Sequence, residues 1–333
     1  MNNRLIVFFI PAAIVIAYFL MAMIERRVLA DSRPTGFVQR NGAALSLFFV
    51  VAVGFWTLFM VTLPYLYMFQ ESFHPTLWPK DRGGPKDTLT LEHYRFFLYG
   101  SDGLGNFTHL RAFVLTIFIS LCVTIANFIL CYPLAYYMAQ SATTQKVRVL
   151  LLALIVPYWV NEILRAFALR VLLASGGLIN TALLGMGLIN EPFDFLGANI
   201  GLYVGLSYAY LLLMVFPLYN AIESLDPNQI EAARDLGAPW WRIHKDIVIP
   251  HAKPGIASGC TMVFMLSAGA LAAPQFLGGP KTLWFTSIVY DFFFQSFNWA
   301  RGSAYALILL AACILFVMLM LRLFKVSLGE TIR

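Results

Sequence analysis

Charge is what this chain has least of. Of 333 residues, 23 are Lys or Arg and 17 are Asp or Glu, so only 12% are charged, about half the ~25% of an ordinary soluble chain. With 60% apolar residues, too few polar groups remain to face water, which excludes a large soluble enzyme domain, disorder, collagen and coiled coil. Cysteine is scarce too. Cys122, Cys131, Cys260 and Cys313 all lie in apolar runs without CxxC spacing. That excludes a secreted disulfide scaffold and favours small core residues over metal or redox chemistry. No dense Lys/Arg cluster accompanies the net charge of +6, so nucleic-acid binding is not indicated. There is no Ser/His/Asp constellation and no carboxylate pair. His244 and His251 lack metal-ligand partners and read as solvated or packed. A phosphate-binding GxxxxGK[ST] loop is missing as well. The segment Leu277-Gly278-Gly279-Pro280-Lys281-Thr282 has the wrong spacing, so the chain is not expected to hydrolyse ATP or to bind a cofactor itself.

What is present is a series of long apolar runs, at about residues 5–24, 44–69, 112–139, 149–173, 200–225, 255–274 and 303–324. Each suits a membrane-spanning helix of about 20 residues. The first is too long for a signal-peptide centre and is followed, not preceded, by its charge cluster Glu25-Arg26-Arg27, so it reads as a retained span. Pro64, Pro133, Pro157, Pro217 and Pro274 sit in or at the ends of the runs. Lipid-buried helices tolerate them where neighbours satisfy the freed carbonyls, and kinked helices around a cavity would result. Thirteen Lys and Arg flank one side of this arrangement, in residues 25–43, 140–148, 226–256 and the tail from 322; eight flank the other. Most of the eight fall in one long segment, where the charge rule is weak. The richer side is therefore expected to be cytoplasmic, with the N-terminus outside and the C-terminus inside.

Three connections exceed simple turns. Residues 70–111 are polar and expected outside. Residues 275–302 are aromatic, also outside, with a re-entrant or interfacial helix expected around 283–297. Residues 226–256 are expected inside. There Asp226-Pro227 reads as an N-cap with proline at the first helical position, Gly237 as a helix stop, and Pro239 as the start of a second short helix ending before Pro250. On the first helix Ile230, Ala233 and Gly237 share a stripe, while Ala232 and Ala233 add little bulk. Such a helix can press its backbone into a partner's groove, or simply serve as an amphipathic linker.

Glu231-Ala232-Ala233, three residues, Gly237, nine residues, then Ile247-x-Ile249-Pro250 resembles the EAA-x3-G-x9-I-x-L-P loop of binding-protein-dependent ABC importer permeases, with Ile249 for Leu the one departure. Further segments resemble the spermidine/putrescine branch: the run from Cys131 to Tyr137, Tyr158-Trp159-Val160-Asn161 with Arg165, Gly177-Leu178-Ile179-Asn180, Pro217-Leu218-Tyr219 and Leu277-Gly278-Gly279. The likeness covers about residues 40–325. It implies an all-α polytopic membrane protein, a six-helix permease core over residues 44–333, with residues 1–43 as an extra N-terminal transmembrane helix and linker. It also implies a bacterial inner-membrane transport subunit whose partners are a second permease subunit, separate ATP-binding subunits that use ATP and Mg, and an extracytoplasmic solute-binding protein. Glu231, Ala232, Ala233, Asp235, Gly237 and Pro250 are the positions such a resemblance gives to ATPase coupling, Glu231 as a polar contact and the small residues to permit close approach.

Charges inside apolar runs are expensive and usually functional. Here they are Glu162, Arg165 and Arg170. Glu162 and Arg165 are three apart and could neutralise each other; alternatively Glu162 faces a cationic solute. Tyr132, Tyr136, Tyr158, Trp159, Tyr208, Tyr210 and Tyr219 are either interface and packing rings or π faces guiding ammonium groups. Asp291 is the one acid in the 275–302 segment and a candidate for the entry. Tyr132, Tyr158, Trp159, Asn161, Glu162, Arg165, Tyr208 and Asp291 are thus the candidate pathway residues. The expected cargo is a polyamine. An amino-acid derivative, a phosphonate or a metal complex on the same architecture is an alternative, and an ATPase-independent secondary transporter or channel is the rival class.

Overall fold

The computed structural model describes residues 42–76, 88–100, 107–279 and 282–325, and all regular structure among them is helical. The expected span at 5–24 lies outside the described residues. Five helical stretches are long and apolar enough to cross a membrane: α1 (Leu45–Ser72), α3 (Phe107–Ser141), Glu162–Gly185, α7 (Ile200–Glu223) and α13 (Trp299–Phe324). The chain divides into two compact units, ending and beginning at Gln70 and Glu71.

In the first unit α1 is exposed along almost its whole length, Val53, Trp56 and Leu66 included, as a lipid-facing helix would be. Between Thr57 and Thr62 it widens into a π turn, closed by the Thr62 hydroxyl donating to the Thr57 carbonyl at 3.3 Å. Pro64 follows directly. A proline cannot donate to the carbonyl four residues back and its ring crowds that carbonyl, so the widened turn gives the backbone the room it needs.

The second unit is organised around α3, α7 and α10 (Lys253–Ala268), which pack against one another. The buried stripe of α3 is Ala112, Thr116, Ile119, Ser120, Val123, Thr124, Asn127, Cys131 and Ala135, while Phe118, Ile125, Ile129 and Leu130 point outward. Small and hydroxyl residues inside, bulky apolar residues outside, is the pattern of helices in lipid. The hydrocarbon gives no driving force for burying Leu or Ile, and close backbone approach governs association. At the crossing of α7 and α10 a Cβ on Gly255 would collide with the Pro217 carbonyl and Ala221, and one on Gly259 would lie 2.9 Å from the Met214 sulfur. Cys131 donates to the Leu211 carbonyl, and Gln140 Nε2 to the carbonyls of Ile222 at 3.0 Å and Leu225 at 3.4 Å. α3 and α7 therefore run in the same direction and end together.

Two sequence expectations are corrected. The run 149–173 is not one helix. α4 (Thr144–Tyr158) ends just past Pro157, Trp159–Asn161 are unwound, and α5 (Glu162–Leu173) restarts with Asn161 accepting from the Ile163 N–H at 2.9 Å. A proline near a helix end followed by an N-capping side chain favours two helices over one. The run 255–274 also divides: α10 stops at Gly269 and α11 (Ala272–Leu277) contains Pro274. The polar segment 70–111 holds a helix, α2 (Glu92–Tyr99), with His93 and Phe97 buried, and α6 (Leu178–Gly185) follows α5 after a short turn. A helix does form in the 283–297 region, α12 (Phe285–Phe294).

Candidate functional site

The 226–256 segment forms α8 (Pro227–Asp235), its start fixed by Asp226 accepting from the Asn228 N–H at 3.0 Å. The Leu236 and Gly237 N–H groups close its end on Ala232 and Arg234 carbonyls. Gly237 has φ +75°, a left-handed conformation that glycine adopts without a Cβ penalty. Ile230 is buried and Ala233 packs against the core, whereas Glu231, Ala232, Asp235 and Gly237 are exposed. The second helix does not stop before Pro250. α9 runs through Trp240–Ile243, a π turn at His244–Val248, and Ile249–His251, with Pro250 exposed in its last turn. A π turn just upstream of a proline accommodates the ring as it does in α1.

Beside the small residues stand large apolar ones that sequence reasoning had passed over. Leu236 is 88% exposed, Trp240 66% and Trp241 56%. Three such side chains around one glycine turn make an exposed apolar patch, larger than scattered surface apolar residues would give. The sequence signal was available: a Leu and two Trp inside an otherwise polar loop.

A second cluster forms where α4 breaks. The Arg165 guanidinium lies 5.6 Å from the ring centroids of both Tyr158 and Tyr208. The Tyr210 hydroxyl donates to Glu162 Oε1 at 3.3 Å. Among the described residues Glu162 and Arg165 are not an ion pair. Glu162 occupies the first turn of α5, where the helix dipole favours a carboxylate without a cation beside it, and Arg165 spends its charge on π faces. Arg170 donates to the Phe276 carbonyl at 3.0 Å, which ties α5 to α11. Tyr208 and Tyr210 stand near the middle of α7 (Ile200–Glu223), so the break between α4 and α5 faces the middle of a helix long enough to cross a membrane. A broken helix at mid-depth, with a carboxylate, a guanidinium and aromatic rings at the break, is a pattern used for solute binding in membrane transporters. Tyr158, Tyr208 and Trp159, the last 83% exposed, leave the cluster open on one side.

Not every candidate joins that cluster. Tyr132 is bonded to His244, with 2.6 Å between its hydroxyl and Nδ1. Asp291 accepts from Gln295 at 2.8 Å on α12. At the same end of the molecule a cavity of about 1040 Å³ is lined by Glu92, Arg95, Phe96, Tyr99 and Arg301 among others, and not by Asp291. The rings of Phe97, Phe113, Phe285, Phe292 and Tyr305 form an aromatic knot there, with the Arg301 guanidinium 3.9 Å from the Phe96 centroid. Cys131, Cys260 and Cys313 are buried. Among the described residues no group of His, Cys, Asp and Glu could hold a metal.

Residues 104–326 match the family described as binding-protein-dependent transport system inner membrane component. The chain is 34% identical over 265 residues to the spermidine/putrescine transport system permease protein PotB of Haemophilus influenzae, covering 79% of this chain and 88% of that one. It is 34% identical over 256 residues to the protein of the same name from Escherichia coli K12, covering 77% and 89%. In fold it is similar to a chain of a bacterial alginate ABC transporter crystallised with an alginate pentasaccharide-bound periplasmic protein. The TM-score is 0.67 at 16% identity, over 88% of this chain and 96% of that one.

Proposed function

Since this chain belongs to the binding-protein-dependent transport system inner membrane components, and so is a multi-pass permease subunit of an ABC importer rather than an enzyme, we propose that it forms part of the pathway for a polyamine. A permease of this family works with a binding protein and partner subunits. In the proposed assembly the partners are a second, homologous permease, ATP-binding subunits that use ATP and Mg, and an extracytoplasmic binding protein that delivers the solute. Residues 44–333 are the permease domain, residues 1–43 an added span and linker. The N-terminus lies outside and the C-terminus in the cytoplasm. The patch of Leu236, Trp240 and Trp241 around Glu231, Ala232, Ala233, Asp235 and Gly237 docks on an ATP-binding subunit. ATP-driven closure there moves α8 and α9, and alternating access follows in the bundle.

The observation that carries the polyamine reading is the mid-depth cluster. Glu162 is an anion held by a helix N-terminus and one hydroxyl, not neutralised by Arg165. Taking a polycation out of water costs many kcal/mol unless anions or π faces replace the water. Glu162 supplies the first; Tyr158, Trp159 and Tyr208 supply the second. Because the cluster is open on one side, a second permease subunit completes the walls. The relatives named for spermidine and putrescine support the same cargo.

The test is uptake of labelled spermidine and putrescine by the assembled transporter, with Glu162→Gln as the variant. The expected outcome is a loss of about tenfold in uptake, equivalent to ~1.4 kcal/mol, with unchanged yield of folded complex. Normal uptake with normal yield would remove Glu162 from the pathway and leave the rings as the recognising groups. Competition that favours an amino-acid derivative or a phosphonate over polyamines would overturn the cargo.

A further inference from the structure

His244 is buried in the middle of a segment whose neighbours Lys245 and Asp246 are exposed. Three rings from two elements surround it. The Trp240 centroid is 4.1 Å away, Tyr136 4.4 Å and Tyr132 5.7 Å. Its Nδ1 is 2.6 Å from the Tyr132 hydroxyl, and its Nε2 is buried with no partner among the described residues. A phenylalanine would fill this cage without stranding a polar nitrogen. What imidazole adds is one directional hydrogen bond to α3, made in a region of low dielectric where such bonds hold geometry well.

The placement makes that bond consequential. Trp240 is two-thirds exposed on the docking patch, yet its ring lies on His244. His244 in turn is held by Tyr132 and Tyr136 of α3. The end of α3 is tied to the end of α7 through Gln140 and the carbonyls of Ile222 and Leu225. α7 carries Tyr208 and Tyr210, the partners of Arg165 and Glu162. From the docking patch to the mid-depth cluster the route is continuous: ring contacts, hydrogen bonds and a cation–π contact join its elements, and the α3 and α7 helices carry it between them.

We propose that His244 is a positioning residue of transport: its hydrogen bond to Tyr132 locks the docking segment to α3, so that motion of the patch is converted into motion of the pathway helices. The proposal rests on the docking reading of the 226–256 segment and adds the residue pair that transmits it.

The experiment uses the complete transporter in proteoliposomes with Tyr132→Phe, His244→Phe and the double variant, each conserving ring packing and removing only the bond. Folded yield, co-purification of the ATP-binding subunits, ATP hydrolysis and solute uptake are measured together. The expected result is normal assembly and continuing ATP hydrolysis, with uptake per ATP reduced at least fivefold in each single variant. The double variant should be no worse than either single, since both remove one shared interaction. Unchanged uptake per ATP in Tyr132→Phe overturns the proposal, even if yield falls, because a purely structural bond would lower yield alone. Additive losses overturn it as well. Gly237→Trp separates the underlying reading. It places a bulky side chain on the patch, where a Cβ meets open space but the left-handed φ of +75° strains any side chain. It should abolish transport and ATP-binding-subunit co-purification with folded yield and insertion no lower than in Gly237→Ala, which carries the same strain without the bulk. Normal transport and assembly in Gly237→Trp overturns the docking reading, and the proposal with it. Failure of Gly237→Trp beside an unaffected Tyr132→Phe leaves docking standing and overturns the bridge alone.

Discussion

At the scale of single residues, the fold repeatedly assigns polar side chains to tasks other than pairing charge with charge. Arg165 and Arg301 stack on rings, and Glu162 leans on a helix terminus and a phenol. The two histidines buried outside the membrane spans show what burial does to a titratable group. Burial lowers the His244 pKa below its ordinary 6.5, with the Arg234 charge adding to the effect. Burial likewise lowers that of His93, helped by Arg301 and opposed by the hydrogen bond to the His74 carbonyl. Above pH 6.5 both are neutral folded or unfolded, and the full stability is present. As pH falls below 6.5 the unfolded chain takes up protons that the folded chain refuses, so stability declines toward the depressed folded values. Thermal unfolding of the purified chain between pH 7.5 and 5.5 should show a falling midpoint, and His93→Gln should flatten part of that fall. A midpoint that rises on acidification would contradict the assignment.

At the scale of elements, close approach rather than apolar bulk holds the bundle together. Gly255 and Gly259, four apart on α10, let the helix lie against Pro217, Ala221 and Met214 of α7. Gly259→Leu forces an extra side chain into that contact, which should cost about 1–3 kcal/mol or more and lower both folded yield and the unfolding midpoint in detergent. Gly54→Leu is the matched control, since a Cβ there meets nothing within 4 Å. Equal effects at the two positions would show that helix propensity, not the crossing, was measured. The π turns in α1 and α9 belong to the same scale, each set just before a proline that an unmodified α-helix would not accept.

At the scale of the whole molecule, the two ends of α3 meet different surroundings. Its start joins α2, α12 and α13 in the aromatic knot through Phe113, and its end joins the docking segment through Tyr132, Tyr136 and Gln140. From Phe113 to Gln140 the helix rises about 40 Å, enough to separate the two faces of a bilayer core of ~30 Å. The proposed orientation, which rests on the charge count, puts the docking end in the cytoplasm. A cysteine at Gln229 should therefore react with a membrane-impermeant reagent only after lysis, and one at Ser296 in intact cells once the outer layer is permeable. Both positions are exposed. The reverse pattern would invert the orientation.

Much of this was legible from the chain alone. Low charge and long apolar runs determine a membrane-embedded helical protein, because a backbone in lipid must satisfy its own hydrogen bonds. Local chemistry placed the Asp226 cap and the Gly237 turn, since caps and left-handed turns depend on residues adjacent in sequence. Resemblance of Glu231-Ala232-Ala233, Gly237 and Ile247-x-Ile249-Pro250 to a family motif identified the EAA loop. What the chain could not disclose is what depends on distant partners. The division of the run 149–173 is not of that kind, since Pro157 and Asn161 are local stop and cap signals. Whether Glu162 pairs with Arg165 was decided by α7, which brings Tyr208 and Tyr210 to both. His244, 112 residues from Tyr132, reads as an unremarkable loop residue until the tertiary structure closes three rings around it. A hydrogen bond across that separation leaves no periodic trace in a sequence, because its geometry exists only after the helices have packed.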